Sequence, residues 1–207
     1  MTQYREIAEL VMRECREAPM PSIEREVRSV VVDFCERSRV VVREVFVKME
    51  AGKRKYDLSR LVQGRVAQIL KAAARGPSGH YWPMRQVDDL FADDRSGKDP
   101  YRYAMSNDGS EMTISPEPEE DGAVVALKVV VVPTHGNERM PQEISANWRD
   151  AIVKGAAGRM MGMPDKPWTN KAVSQRYWTE FEMAVNQAKR IALSSGWAPQ
   201  RTKMRRF

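Results

Sequence analysis

The chain has 207 residues, 42% of them hydrophobic, enough for one sizeable domain or two small ones with a buried core. Lysine and arginine outnumber aspartate and glutamate by 34 to 28, a formal charge of +6, which permits contact with nucleic acid or an acidic protein surface and establishes neither. The opening "MTQYREIAELVMREC" is charged every few residues, which excludes a secretory signal or membrane span there, so a soluble intracellular product is expected.

In chain order, Thr2 is placed to cap a first helix with Ile7, Leu10, Val11 and Cys15 on one face. "APMPS", residues 18–22, breaks it, and Ser22 is expected to open a second helix. There Ile23, Val27, Val30, Val31 and Phe34 recur at helical spacing beside Cys35. Both cysteines fall at apolar helix positions, which predicts buried thiols rather than a disulfide or a metal site. From Arg39, "RVVVREVFVKMEAG" is β-branched, partly alternating and closed by glycine, a strand and turn. "GRVAQILKAA", residues 64–73, is a weaker strand signal. "YRYAMSNDGSEMTISPEP", residues 101–118, predicts two strands joined at Asn107, Asp108 and Gly109, residues that tolerate the positive φ of a tight turn. After the acidic loop "EPEEDG", the run "AVVALKVVVVP", residues 123–133, predicts a central strand covered on both faces.

Helical spacing returns at Pro141, with Ile144, Trp148, Ala151, Ile152, Gly155 and Arg159 on one face. Gly155, Ala156, Ala157, Gly158 and Gly162 make that helix slim. In "GMPDKPWTN" Pro164 and Pro167 forbid continuation, Trp168 fills a corner, and Thr169 or Asn170 caps the next helix, giving a rigid elbow. That helix carries Val173, Tyr177, Phe181, Ala184, Ala188 and Ile191 on one face and ends at Gly196.

The order helix, helix, strands, helix, helix predicts an α+β fold. Helical hairpins from the N- and C-terminal regions pack together, and an antiparallel β-rich lobe is inserted between them. The expected segments are the N-terminal helices 1–38, the lobe 39–136, the C-terminal helical hairpin 137–196 and an extended basic arm 197–207.

Chemistry-bearing patterns are sparse. The glycines at 52, 64, 76, 79, 97 and 109 lack phosphate-loop spacing, so nucleotide hydrolysis is not expected. His80 and His135 lie in turn-rich segments without a ligand or nucleophile partner nearby. Asp88, Asp89, Asp93 and Asp94 offer paired carboxylates for a hard cation, but Val87, Leu90 and Phe91 at helical spacing favour an amphipathic turn with solvated aspartates. Glu117, Glu119, Glu120 and Asp121 read as a solvated connection. No enzyme activity, cofactor or metal is expected. In "RGPSGHYWP" the aromatics Tyr81 and Trp82, next to His80, are either a partner contact in a loop or a plug over a sheet edge. In the tail "WAPQRTKMRRF" the cations Arg201, Lys203, Arg205 and Arg206 alternate with Trp197, Met204 and Phe207, the composition of a docking arm rather than of a frayed end.

Residues 141–192, "PQEISANWRDAIVKGAAGRMMGMPDKPWTNKAVSQRYWTEFEMAVNQAKRIA", resemble the C-terminal helical hairpin of head-to-tail adaptor (connector) proteins of tailed bacteriophages. "VVVDFCERSRV", "YDLS" and "VDDLF" sit where such proteins place a helix end, a strand turn and a loop, a looser likeness. The resemblance implies a structural virion protein of the neck, made in the host cytoplasm. It implies a homo-oligomeric, dodecameric ring below the portal protein, with a tail or nozzle protein beneath and double-stranded DNA passing through without sequence-specific binding. It also implies that residues 197–207 dock on the portal and leaves the loop of His80, Tyr81 and Trp82, or the acidic loop, for the tail partner. The slim helix then serves either the hairpin itself or a contact between neighbouring subunits. Another neck ring protein, a stopper or tail terminator, fits the same residues. From a different class, a basic nucleic-acid-binding protein fits the charge, although no recognition-helix or base-stacking motif stands out.

Overall fold

The computed structural model describes residues 4–75, 81–87, 101–137 and 139–194. The fold is α+β and divides into two compact units, one of residues 1–41 with 133–207 and one of residues 42–132. Thr2, the expected cap of the first helix, lies outside the described residues.

The helical unit holds α1 (Tyr4–Glu14), α2 (Met20–Ser38), α3 (Gln142–Asn147), α4 (Arg149–Gly162) and α5 (Lys171–Ala192). In α1 the residues Tyr4, Ile7, Ala8 and Val11 are buried. Leu10, expected beside them, is only half-buried. Ser22 does not open α2: the helix starts at Met20 behind Pro19, with Pro21 in the first turn where a missing N–H costs nothing. It ends at Arg39, whose φ of 56° and N–H bond to the Cys35 carbonyl close the last turn. The apolar stripe packs as its spacing dictates, with Ile23, Val27, Val30, Val31, Phe34 and Cys35 buried. At the centre, Phe34 lies 5.4 Å from the Trp148 ring and 6.0 Å from Phe181. Phe34 and Phe181, both fully buried, each stabilise the fold by about 2–3 kcal/mol.

The helix expected to run unbroken from Pro141 is two helices. Trp148, at φ −128° and ψ 14°, leaves helical geometry at the junction, where its N–H still bonds the Ile144 carbonyl at 2.9 Å and its ring lies against Phe34. The glycines of α4 are used inside the chain. A Cβ on Gly155 would stand 2.7 Å from a Phe181 ring carbon and 2.8 Å from Val30, and one on Gly158 would stand 3.3 Å from the Ser174 carbonyl oxygen. The slimness therefore seats α5, and α2 at Gly155, rather than a neighbouring subunit. Arg159 is half-buried beside Asp33 instead of in the apolar stripe. In α5 the inner face carries Phe181, Val185 and Ala188. Ile191, expected inside, is 48% exposed, because the stripe is turned toward Val185.

The strand-rich unit holds β1 (Val42–Lys48), β2 (Lys55–Asp57), β3 (Arg65–Arg75), β4 (Tyr81–Pro83), β5 (Arg85–Gln86), β6 (Arg102–Met105), β7 (Glu111–Ser115) and β8 (Val124–Val132). These form two four-stranded sheets in the orders β1-β8-β3-β4 and β2-β7-β6-β5. The lobe is not purely antiparallel, since β5 pairs parallel to β6. The segment with the weaker strand signal, β3, is the longest strand and carries two register shifts, which explains its blurred alternation. Strand β8 sits between β1 and β3. Its first half alternates and only residues 129–132 are buried continuously, so coverage on both faces is confined to that half. The tip of the β6–β7 hairpin carries Gly109 at φ 71°, and a Cβ there would stand 1.9 Å from the Val66 carbonyl oxygen. Glycine is required twice over, by the turn and by the approach to β3.

Candidate functional site

The elbow between α4 and α5 is fixed by hydrogen bonds more than by its prolines. Helix α4 ends at Gly162, and Pro164 and Pro167 are both exposed. The Thr169 hydroxyl donates to the Met163 carbonyl at 2.6 Å and accepts from the Lys166 N–H at 3.0 Å. Asn170 caps α5, its side-chain oxygen accepting from the Val173 N–H at 3.2 Å, while its own N–H reaches back to the Met161 carbonyl at 2.9 Å. Asp165 takes φ 54° to let the chain turn. Trp168 is half-buried, and its indole N–H is enclosed without an acceptor. Behind the elbow, the Ser174 hydroxyl donates to the Gly158 carbonyl at 2.7 Å, and the Arg37 guanidinium clasps Glu182, one arm at 2.8 Å. Arg159 reaches Asp33 at 3.0 Å, so ion pairs join α2 to α4 and to α5. The bond from Arg37 holds the Glu182 carboxyl below its usual range.

Two surfaces of the strand-rich unit stand out. The first is the outward face of the β1-β8-β3-β4 sheet. The register places Phe46, Ala126, Ala73 and Pro83 in one row and Lys48, Val124, Arg75 and Tyr81 in the next, and Glu44, Lys128 and Lys71 flank them. Phe46 is 63% exposed and Tyr81 55%, with the Arg75 guanidinium 5.4 Å above the Tyr81 ring. The second is a cleft of about 240 Å³ lined by Trp82, Tyr101, Pro116 and the carboxylate-bearing loop of Glu117, Glu119, Glu120 and Asp121. The loop is held at both ends. Asp121 accepts from the Ala51 N–H at 2.7 Å, Glu117 pairs with Arg54 at 2.9 Å, and the Gly52 N–H bonds the carbonyl of buried Pro118. Glu119 and Glu120 remain exposed on it.

Tyr81 and Trp82 thus occupy an edge strand rather than a loop, and alternation sends them to opposite sides of it. The structure brings Trp82 together with the acidic loop, two segments 35 or more residues apart in sequence that the sequence treated as alternatives. His80, the four aspartates at 88–94 and the arm residues Trp197, Arg201, Lys203, Met204, Arg205, Arg206 and Phe207 lie outside the described residues. His135 sits in a turn whose backbone carbonyl accepts from Arg28 at 3.2 Å. Among the described residues no group of three His, Cys, Asp or Glu side chains is placed to hold a metal ion, and no helix is long and apolar enough to cross a membrane. Both cysteines are free and buried, and burial pushes the Cys15 thiol up to about 11, leaving almost no thiolate at neutral pH. The sequence analysis missed Phe46, Lys71 and Arg75. The signal was present in "VREVFVK", where Phe46 falls on the opposite parity from buried Val45 and Val47.

No protein-family model matches the chain, and no curated protein matches it.

Proposed function

We propose that the chain is a head-to-tail adaptor of a tailed bacteriophage, a structural ring subunit that sits below the portal and keeps the DNA channel continuous into the tail. The observation that carries this reading is the helix, elbow, helix stretch of residues 141–192, which resembles the adaptor hairpin and is a fixed corner: Thr169 and Asn170 satisfy the backbone on both sides of it, and Gly155 and Gly158 let α4 and α5 meet closely. A second observation agrees with it: a strand-rich unit inserted between helical segments, the arrangement that the resemblance implies. In this reading residues 197–207 dock on the portal, and the Trp82 cleft with its acidic loop faces the tail side or a neighbouring subunit.

The test is electron microscopy of the purified chain mixed with a portal ring from the same genome neighbourhood. A coaxial second annulus on the portal is expected, and its loss on deletion of residues 197–207, with helicity unchanged, would assign the arm. Undecorated portals refute the reading. A nucleic-acid-binding role is the second reading, favoured by the exposed Phe46 and Tyr81 among lysines and arginine on one sheet face. Salt-sensitive retention of the chain on DNA, without ring formation, would move the assignment there.

A further inference from the structure

We infer that the repeating contact of the ring pairs two different surfaces of the strand-rich unit. The sheet face around Phe46, Tyr81, Lys71 and Arg75 of one copy receives the acidic loop of Glu119 and Glu120 from the next. This rests on the ring reading above.

Three observations carry it. The sheet face is apolar at its centre and basic around it: among the described residues of these rows, the cations Lys48, Lys71, Arg75 and Lys128 stand against the carboxylate of Glu44. Leaving Phe46 at 63% and Tyr81 at 55% exposure on neighbouring rows keeps aromatic area in water that a partner would remove. The acidic loop has the complementary character. Its carboxylates at 119 and 120 are exposed on a backbone already pinned at Gly52 and Ala51, so docking it orders little and costs little entropy. The geometry is front to back, because Tyr81 belongs to the sheet face and Trp82, on the other side of β4, to the acidic cleft. Because the two surfaces lie on opposite sides of β4, the contact is heterologous rather than two-fold. It repeats from copy to copy and closes as a ring when the rotation permits.

Charge reversal tests it. Full-length chains carrying Lys71→Glu with Arg75→Glu, or Glu119→Lys with Glu120→Lys, are assembled on portal rings alongside the unaltered chain, with circular dichroism and melting as fold controls. Each reversed chain alone is expected to lose ring formation at least tenfold. An equimolar mixture of the two is expected to restore it, since every junction then joins an acidic face to a basic loop or the reverse. Phe46→Ser, which changes no charge, is expected to weaken assembly of the unaltered chain. Rings that form equally well from either reversed chain, or a mixture of folded chains that stays unassembled, overturn this contact and leave the ring reading standing. An unaltered chain that forms no annulus refutes the ring reading and this contact with it. Binding of a fluorescent single-stranded oligonucleotide is measured in parallel. Its loss in the Lys71→Glu, Arg75→Glu chain with ring formation intact assigns the face to nucleic acid instead.

Discussion

Gly109 and Gly52 separate two demands that glycines usually combine. Both have φ near +70°, but a Cβ at Gly52 meets nothing within 4 Å whereas one at Gly109 collides with the Val66 carbonyl. Gly52→Ala should therefore cost about 1–2 kcal/mol, the penalty for left-handed backbone alone. Gly109→Ala should cost more than that by about 1–3 kcal/mol, because the hairpin must lift from β3. Urea midpoints of the two variants measure the difference. In α4 the same logic sets helix propensity against space. Gly155→Ala gains about 1 kcal/mol of intrinsic helix stability but drives a methyl into Phe181 and Val30, so a net loss of about 1–2 kcal/mol is expected. Gly158→Ala, with contacts starting at 3.3 Å, should lie near neutral, and thermal melts rank the pair.

Among the elements, α5 depends on its cap and on one ion pair. Asn170→Ala removes the side-chain acceptor of the Val173 N–H and should lower stability by about 1 kcal/mol in urea. The Glu182 carboxyl is held below its ordinary value by its hydrogen bonds from Arg37. A depressed carboxyl stabilises the fold above its unfolded pKa and loses that contribution as pH falls through its folded pKa. The pair is about one-third exposed on each side, so its contribution is about 1 kcal/mol at neutral pH. Glu182→Gln should accordingly cost that amount at pH 7 and little at pH 3, as denaturation curves at the two pH values will show. Much of this layer was legible in the sequence. The stripe of Ile23, Val27, Val30, Val31 and Phe34 and the turn at Gly109 follow from spacing and turn chemistry. What escaped lies in the tertiary geometry: the helix breaks at Trp148, whose ring lies against Phe34, and two register shifts blur the alternation of β3. The outward sheet face was invisible for a plainer reason, since its rows combine residues from four strands spread between positions 44 and 128.

At the scale of the whole chain, the strand-rich unit is an insertion that begins at Val42 and ends at Val132, and its first and last strands are neighbours, with Val42 opposite Val130. That adjacency bears on how cheaply the helical unit can close. The N-terminal helices leave the ribosome first, yet Trp148, Gly155 and Phe181, which lie against Phe34 and Val30, arrive only later. Bringing the two halves of the helical unit together across an unfolded insertion carries a loop-closure penalty that grows with the length of the loop, about 3 kcal/mol more than for a connection of a few residues. Once β1 and β8 have paired, that penalty has already been met, and the remaining gap is short. The sheet therefore acts as a clasp whose closure lowers the cost of completing the helical core. Weakening it with Val129→Ala, which removes a buried side chain of β8 between β1 and β3, should delay amide protection in α2 in a pulsed hydrogen-exchange refolding experiment.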